Sequence, residues 1–253
     1  MAGTHKHLLI HSHSPIHHIA PEAKIVATFF FAVGVALTPR EAVWAFALDA
    51  VVIATLMAVA GYRPRQALVR FAAVLPFIAF ALFIPFVAGG EQTSVLGVSL
   101  SVEGLWASWN VLAKATLGTG ASLVLAGTTP IPEVVRGLGM LRMPPIVVSI
   151  VAFMFRYLDL IVEEMGRVRI AMTARGHDPR WLWQAKPIAS AAGAMFVRSY
   201  ERGERVHSAM LARGYTGTMP QLDHEPAAVR DWVRSLAVPV VPITLAILAA
   251  VAF

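Results

Sequence analysis

RVRIAMTARG, residues 167–176, returns as RVHSAMLARG, residues 205–214. Arg, Val, Ala, Met, Ala, Arg and Gly recur in the same places at an offset of 38 residues, a spacing at which internal repeats reflect repeated structure. Glu163 and Glu201 match as well, each four residues before its Arg (Arg167, Arg205), the favoured order for an ion pair along a helix surface. Each copy ends with Arg in the last helical turn and Gly just past it, where a left-handed cap residue is wanted. Pro179 and Pro220 follow and stop the helix. The pattern predicts two capped helices, each carrying an arginine at its C-terminal tip.

Outward from this pair the chain is apolar. Of 253 residues 57% are hydrophobic and 14% charged, against about 25% charged in a soluble domain, so the fold class is an all-α integral membrane protein. There is no cysteine, which removes disulfides and thiolate metal sites. The first 23 residues are polar and His-rich and do not read as a signal peptide.

Apolar runs long enough to cross a bilayer, roughly 17–25 residues, fall at 20–37, 42–60, 71–88, 105–126 and 236–253. A sixth run, 144–155, is short. Charge decides how it is read. Residues 127–235 hold 14 of the 21 Lys and Arg residues; the 61–70 loop holds Arg63, Arg65 and Arg70 with no acid; the 88–103 loop holds Glu91 and Glu103 with no base. Basic loops stay in the cytoplasm. Four spans before residue 126 satisfy this with a cytoplasmic N-terminus, and a crossing at 144–155 breaks it. The expectation is five transmembrane helices (1–126 holding a tail and four of them, 236–253 the last) around a cytoplasmic domain, 127–235, of two or three long amphipathic helices. Ile150, Met154, Tyr157, Ile161, Val168 and Met172 form an apolar stripe at helical spacing, so 145–175 reads as one helix of about 45 Å. Residues 188–213 form a second, and 128–142 a shorter one ahead of both.

An exposed guanidinium at a helix tip presents five donors in a rigid fork that suits partner carboxylates. Arg before Gly is also an ordinary helix ending; duplication on the basic side is what favours docking. The triplets Ala174-Arg175-Gly176 and Ala212-Arg213-Gly214, in AMTARG and AMLARG contexts, resemble the signature of the transmembrane T component of energy-coupling factor importers. SPIHHIAPEAK (14–24) is similar to that family's Ser-Pro-(Leu/Ile)-His-x-x-x-Pro-x-x-Lys opening, especially in its cobalt branch (CbiQ), and TTPIPEVVRGLGMLRMPP (128–145) resembles its first coupling helix. The resemblance implies a non-catalytic subunit in which Arg175 and Arg213 enter grooves on two ATP-binding cassette ATPase subunits. A membrane substrate-binding S component (CbiM-like) would be a further partner, with a small accessory membrane subunit (CbiN-like). It also implies residence in the cytoplasmic (inner) membrane and cobalt as the substrate, with nickel or a vitamin as alternatives. No G-x-x-x-x-G-K-[ST] phosphate loop occurs, so no cofactor is expected in this chain, and ATP and Mg would be bound by the partner ATPases. Nucleic acid is not an expected partner.

Asp49 and Lys114 place charges inside spans, where they are costly and commonly functional. A mutual ion pair is the expected arrangement; a secondary transporter using Asp49 as its cation site is the competing function. His5, His7, His11, His13, His17 and His18 crowd the N-terminus. Their spacing matches no closed metal site, so no metal is expected, His11, His13, His17 and His18 being the candidate ligands otherwise. Trp181 and Trp183 read as an interfacial anchor, and Gly118, Gly120, Ala121 and Ser122 as a close-packing helix face.

Overall fold

The computed structural model describes residues 14–89, 92–95, 98–177, 186–217 and 227–252. It divides into two units, with boundaries after Leu141 and after Asp223; the sequence boundaries were expected at 127 and 235.

The first unit is a bundle. Helices α1 (Pro21–Leu37), α2 (Val43–Val59) and α3 (Pro64–Arg70) come first. A 3-10 turn, Phe71–Val74, joins α3 to α4 (Leu75–Val87), so the third span is a broken helix that begins seven residues before the apolar run. Strands β1 (Gln92–Val95) and β2 (Val98–Ser101) form a small antiparallel hairpin that the sequence reading did not foresee. Helix α5 (Val102–Thr128) starts on an N-cap in which the Ser101 hydroxyl accepts from Gly104 N–H, with Glu103 in the first turn. Short α6 (Ile131–Met140) follows, with Pro at its start, and α9 (Val229–Ala252) closes the unit.

Contacts at the helix ends fix direction. The start of α1 meets the end of α5, where Lys24 Nζ donates to Thr128 O and Thr129 Oγ1, both at 3.3 Å. The start of α9 meets the start of α1, where Ala227 N–H donates to Glu22 Oε1 at 3.0 Å. Tyr62, just past α2, donates its phenol proton to Leu123 O near the end of α5, and Arg70 donates to the same phenol oxygen at 3.0 Å. Burial pushes the Tyr62 phenol above its ordinary value, and the Arg70 cation partly offsets that. At the opposite end Ala42 and Ala45 pack on Leu245 and Ala249 of α9. Thus α1, α2, α3–α4, α5 and α9 alternate through the bundle in five passes, and Arg63, Arg65 and Arg70 share the end that carries the N-terminal turn. The core between them is built from Phe31, Val35, Phe46, Ile53, Met57, Leu117, Ala121 and Val124. Most other large apolar side chains, Phe29, Leu48, Val51 and Phe80 among them, are exposed, as lipid-facing surface requires.

Length and apolar composition alone select Pro64–Val87, Val102–Thr128, Pro145–Ala174 and Val229–Val251 as able to cross a membrane. Helices α1 and α2, at 17 residues each, are about 25 Å long and fall just below that selection, while α7 enters it through its apolar first half.

The second unit consists of α7 (Pro145–Ala174) and α8 (Lys186–Leu211). Helix α7 is unbroken over 30 residues, as its stripe predicted. Only Ser149 and Met195 are buried along these two helices, so the unit is nearly all surface. The joint to α6 is marked by Arg142, whose φ of 61° lies in the left-handed region at a non-glycine residue, followed by Pro144 and Pro145.

Candidate coupling site

The two arginine tips have one geometry. At the first, His177 N–H donates to Met172 O at 3.1 Å and Gly176 N–H to Thr173 O at 2.9 Å. At the second, Tyr215 N–H donates to Met210 O and Gly214 N–H to Leu211 O, both at 3.0 Å. This is the paired 6→1 and 5→2 closure of a Schellman cap. The closure requires a left-handed residue, and Gly176 and Gly214 have φ of 80° and 81°. Arg175 and Arg213 are the last residues before those glycines, and both are exposed. Ala174, Gly176, Ala212 and Gly214 are exposed too, so the residues flanking each arginine in the chain add no bulk of their own.

The surface pairs expected about two to three turns before the tips are present: Arg167–Glu163 at 2.7 Å and Arg205–Glu201 at 3.9 Å. An ion pair that the sequence reading missed matters more. Glu164 accepts from Arg198 Nη1 at 3.1 Å and from Arg202 Nη2 at 3.2 Å, joining α7 to α8. Its side chain is only 13% exposed. Position 202 is the repeat equivalent of 164, so the two copies touch at the same place in the motif. Equivalent residues face each other where two copies cross about a pseudo-twofold axis, and identical charges there would repel. One copy carries Glu and the other Arg.

The helices run antiparallel from that clasp. Ile146, Ile150 and Tyr157 of α7 face Val206, Met210 and Tyr215 across a cavity of 530 Å³. Hence the arginine tips lie at opposite ends of the pair. Each tip is eleven residues beyond the clasp, about 16 Å along its helix, which allows a tip separation of about 33 Å.

The intramembrane pair is not formed. Lys114 Nζ donates to Ala36 O at 2.7 Å, closing the exposed end of α1. Asp49 is fully buried on α2 with neither carboxylate oxygen hydrogen-bonded. Each charge meets its own environment, and the expected Asp49–Lys114 bridge is replaced by a lysine cap on helix carbonyls. Among the described residues no three His, Asp or Glu side chains gather into a metal-ligand group. His17 instead belongs to the N-terminal turn: its N–H donates to Ser14 O and its carbonyl accepts from Lys24, while His18 is exposed. His11, His13, Trp181 and Trp183 lie outside the described residues.

The SPIHHIAPEAK stretch is therefore a structural clasp. Lys24 holds the C-terminal carbonyl end of α5, and Glu22 holds the N–H entering α9, each charge set at the helix end that its sign suits. In sequence Lys24 reads as part of the opening motif and Glu22 as an unassigned charge; their partners on α5 and at the start of α9 are more than a hundred residues away.

A family model described as cobalt transport protein, CbiQ, matches residues 12–224. The chain is 28% identical over 133 residues to the cobalt transport protein CbiQ of Rhodobacter capsulatus, covering 52% of this chain and 54% of that protein. It is 25% identical over 224 residues to the energy-coupling factor transporter transmembrane protein EcfT of Bacillus selenitireducens, covering 81% of each. With the EcfT of Heliobacterium modesticaldum it shares 25% over 244 residues, 89% of this chain and 90% of that one. The chain thus spans about half the length of the Rhodobacter protein and four fifths or more of the two EcfT proteins. A multi-pass helical bundle, a duplicated arginine-tipped helix and a family match over most of the sequence agree: the chain belongs to the CbiQ cobalt transport protein family, the cobalt branch of the transmembrane T components of energy-coupling factor importers.

Proposed function

We propose that the chain is the coupling subunit of an ATP-driven importer, using Arg175 and Arg213 to engage two ATP-binding cassette ATPase subunits. Those subunits bind ATP and Mg and hydrolyse the nucleotide; this chain transmits their displacement to a membrane substrate-binding S component (CbiM-like). The N-terminus and the α7–α8 unit face the cytoplasm of an inner-membrane complex. Cobalt is the proposed substrate, because both the family description and the Rhodobacter relative carry that name.

One observation carries the reading. Two exposed arginines sit in matching Schellman caps, equally far from a crossing at which repeat-equivalent residues pair. A pair of like tips about a pseudo-twofold axis fits a pair of like motors. The test is Arg175→Glu with Arg213→Glu in the tagged full chain. The double variant should purify as a folded membrane protein that has lost its ATPases, and cells carrying it should lose cobalt uptake. Normal ATPase stoichiometry in the double variant would falsify the docking reading.

Asp49 supports a second reading, cation passage through the chain itself, since a fully buried carboxylate without a partner is costly to keep. Cobalt or sodium uptake into liposomes containing this chain alone would establish it, and silence there leaves the coupling reading in place.

A further inference from the structure

The two tips differ in what surrounds them. At the second, Phe153, Arg156 and Tyr157 of α7 face Met210, Arg213 and Tyr215 across a cavity of 610 Å³. Arg156 and Arg213 are both exposed at its rim, and among the described residues no ion pair engages either of them. Phe153 and Tyr157 stack at 6.2 Å between ring centroids, forming a flat apolar wall beside the guanidinium. The duplicated motif does not supply this second cation, because the repeat equivalent of Arg156 is Ala194. Two cations sharing one cleft repel each other until an anion enters between them, and guanidinium forks bind carboxylates with paired charge-assisted hydrogen bonds.

We propose that Arg156 and Arg213 form one cradle for an acidic side chain of a partner protein, making Arg156 a positioning residue for the second tip and the two tips unequal. The occupant is an Asp or Glu on an ATPase segment whose neighbouring apolar side chain rests on Phe153 and Met210. This rests on the docking reading above. At the first tip the α8 position equivalent to Arg156 is Ala194, so among the described residues only the second tip gains a guanidinium from the facing helix; it makes the tighter and more salt-sensitive contact, and it ranks two non-identical ATPase surfaces by their acidity.

The experiment measures the affinity of the full chain in lipid nanodiscs for the ATPase subunits that co-purify with it, using Arg156→Ala, Arg156→Lys, Arg213→Ala, Arg175→Ala and their pairs. Arg156→Ala should weaken binding about tenfold, and Arg156→Lys less, since charge survives and the fork is lost. Arg156→Ala added to Arg213→Ala should cost less than about threefold more, because both hold one carboxylate, whereas its effect should multiply with that of Arg175→Ala. Multiplication with Arg213→Ala as well, or an unchanged affinity, overturns the cradle. If Arg213→Ala itself leaves ATPase affinity unchanged, the docking reading fails instead. Should Arg156→Ala not fold, the Arg156→Lys pairs give the same cycle. Loss of binding to phosphatidylglycerol vesicles with ATPase affinity intact would assign the cleft to a lipid headgroup and overturn the protein occupant.

Discussion

Lys24 and Glu22 sit one helical turn into α1, buried, and each serves a different helix. Lys24 spends all three of its donors on His17 O, Thr128 O and Thr129 Oγ1. Lys24→Met would leave buried carbonyls unpaired and should destabilise the bundle by about 2–3 kcal/mol, read as a lower thermal midpoint in detergent. Lys24→Arg should recover part of that loss. Asp49 and Lys114 give the opposite expectation from a bridged pair. Because Lys114 is occupied with Ala36 O, the effects of Asp49→Asn and Lys114→Gln on the thermal midpoint should add, with a coupling energy below about 0.5 kcal/mol. A coupling well above that value would show that the two charges meet. Both carboxylates and both lysines were visible in the sequence as intramembrane or near-membrane charges. The partners of Lys24, Glu22 and Lys114 were not, because all but Thr129 Oγ1 are backbone carbonyls or N–H groups, and backbone groups leave no mark in a sequence.

Helix α5 shows which part of a packing face can be read in advance. Gly118, Gly120, Ala121 and Ser122 look alike as a small-residue patch, yet the structure separates them. A side chain at Gly120 would meet Ile53 at 2.6 Å, while Gly118 has nothing within 4 Å and Ser122 is exposed. The tightest site lies further along, at Gly127, against the Tyr62 ring and hydroxyl. Gly127→Ala should therefore cost about 1–3 kcal/mol and disturb the Tyr62–Leu123 hydrogen bond. Gly118→Ala should be neutral or stabilising by up to about 1 kcal/mol. Thermal unfolding of the two variants side by side checks this, and equal effects would mean that α5 presents a different face to α2. The repeat helices were legible down to their caps, since Ala-Arg-Gly with a preceding i, i+4 pair specifies a local geometry. Glu163 could be paired with Arg167 on paper; its neighbour Glu164 could not be paired with Arg198 and Arg202, because that contact depends on how α7 and α8 cross.

Across the molecule, the five-pass bundle follows from charge as much as from hydropathy. The broken third span and the seven extra residues at the start of α9 show that helices outrun their apolar cores at the basic end, where Arg63, Arg65, Arg230 and Arg234 lie. The α7–α8 unit was legible as two helices and illegible as a pair. Its repeat predicts like ends; the Glu164 contacts together with the residues facing across the cavity reveal that those ends point apart. Glu164→Gln should loosen the pair only modestly, since both arginines are partly exposed and screened. The readout is faster trypsin cleavage within α7 and α8, where cleavage follows opening. Unchanged cleavage would mean that the apolar wall of the 530 Å³ cavity holds the helices without the ion pairs.

Two bars fastened at one rivet, with equal lengths beyond it, behave like a pair of shears. With Glu164 and Arg202 as that rivet and eleven residues from it to each arginine, the two blades have equal reach about one pivot. On the proposed docking to two ATPases, motors of unequal grip would work about this one pivot, and a substitution that slackens it would let each turn over without moving its twin.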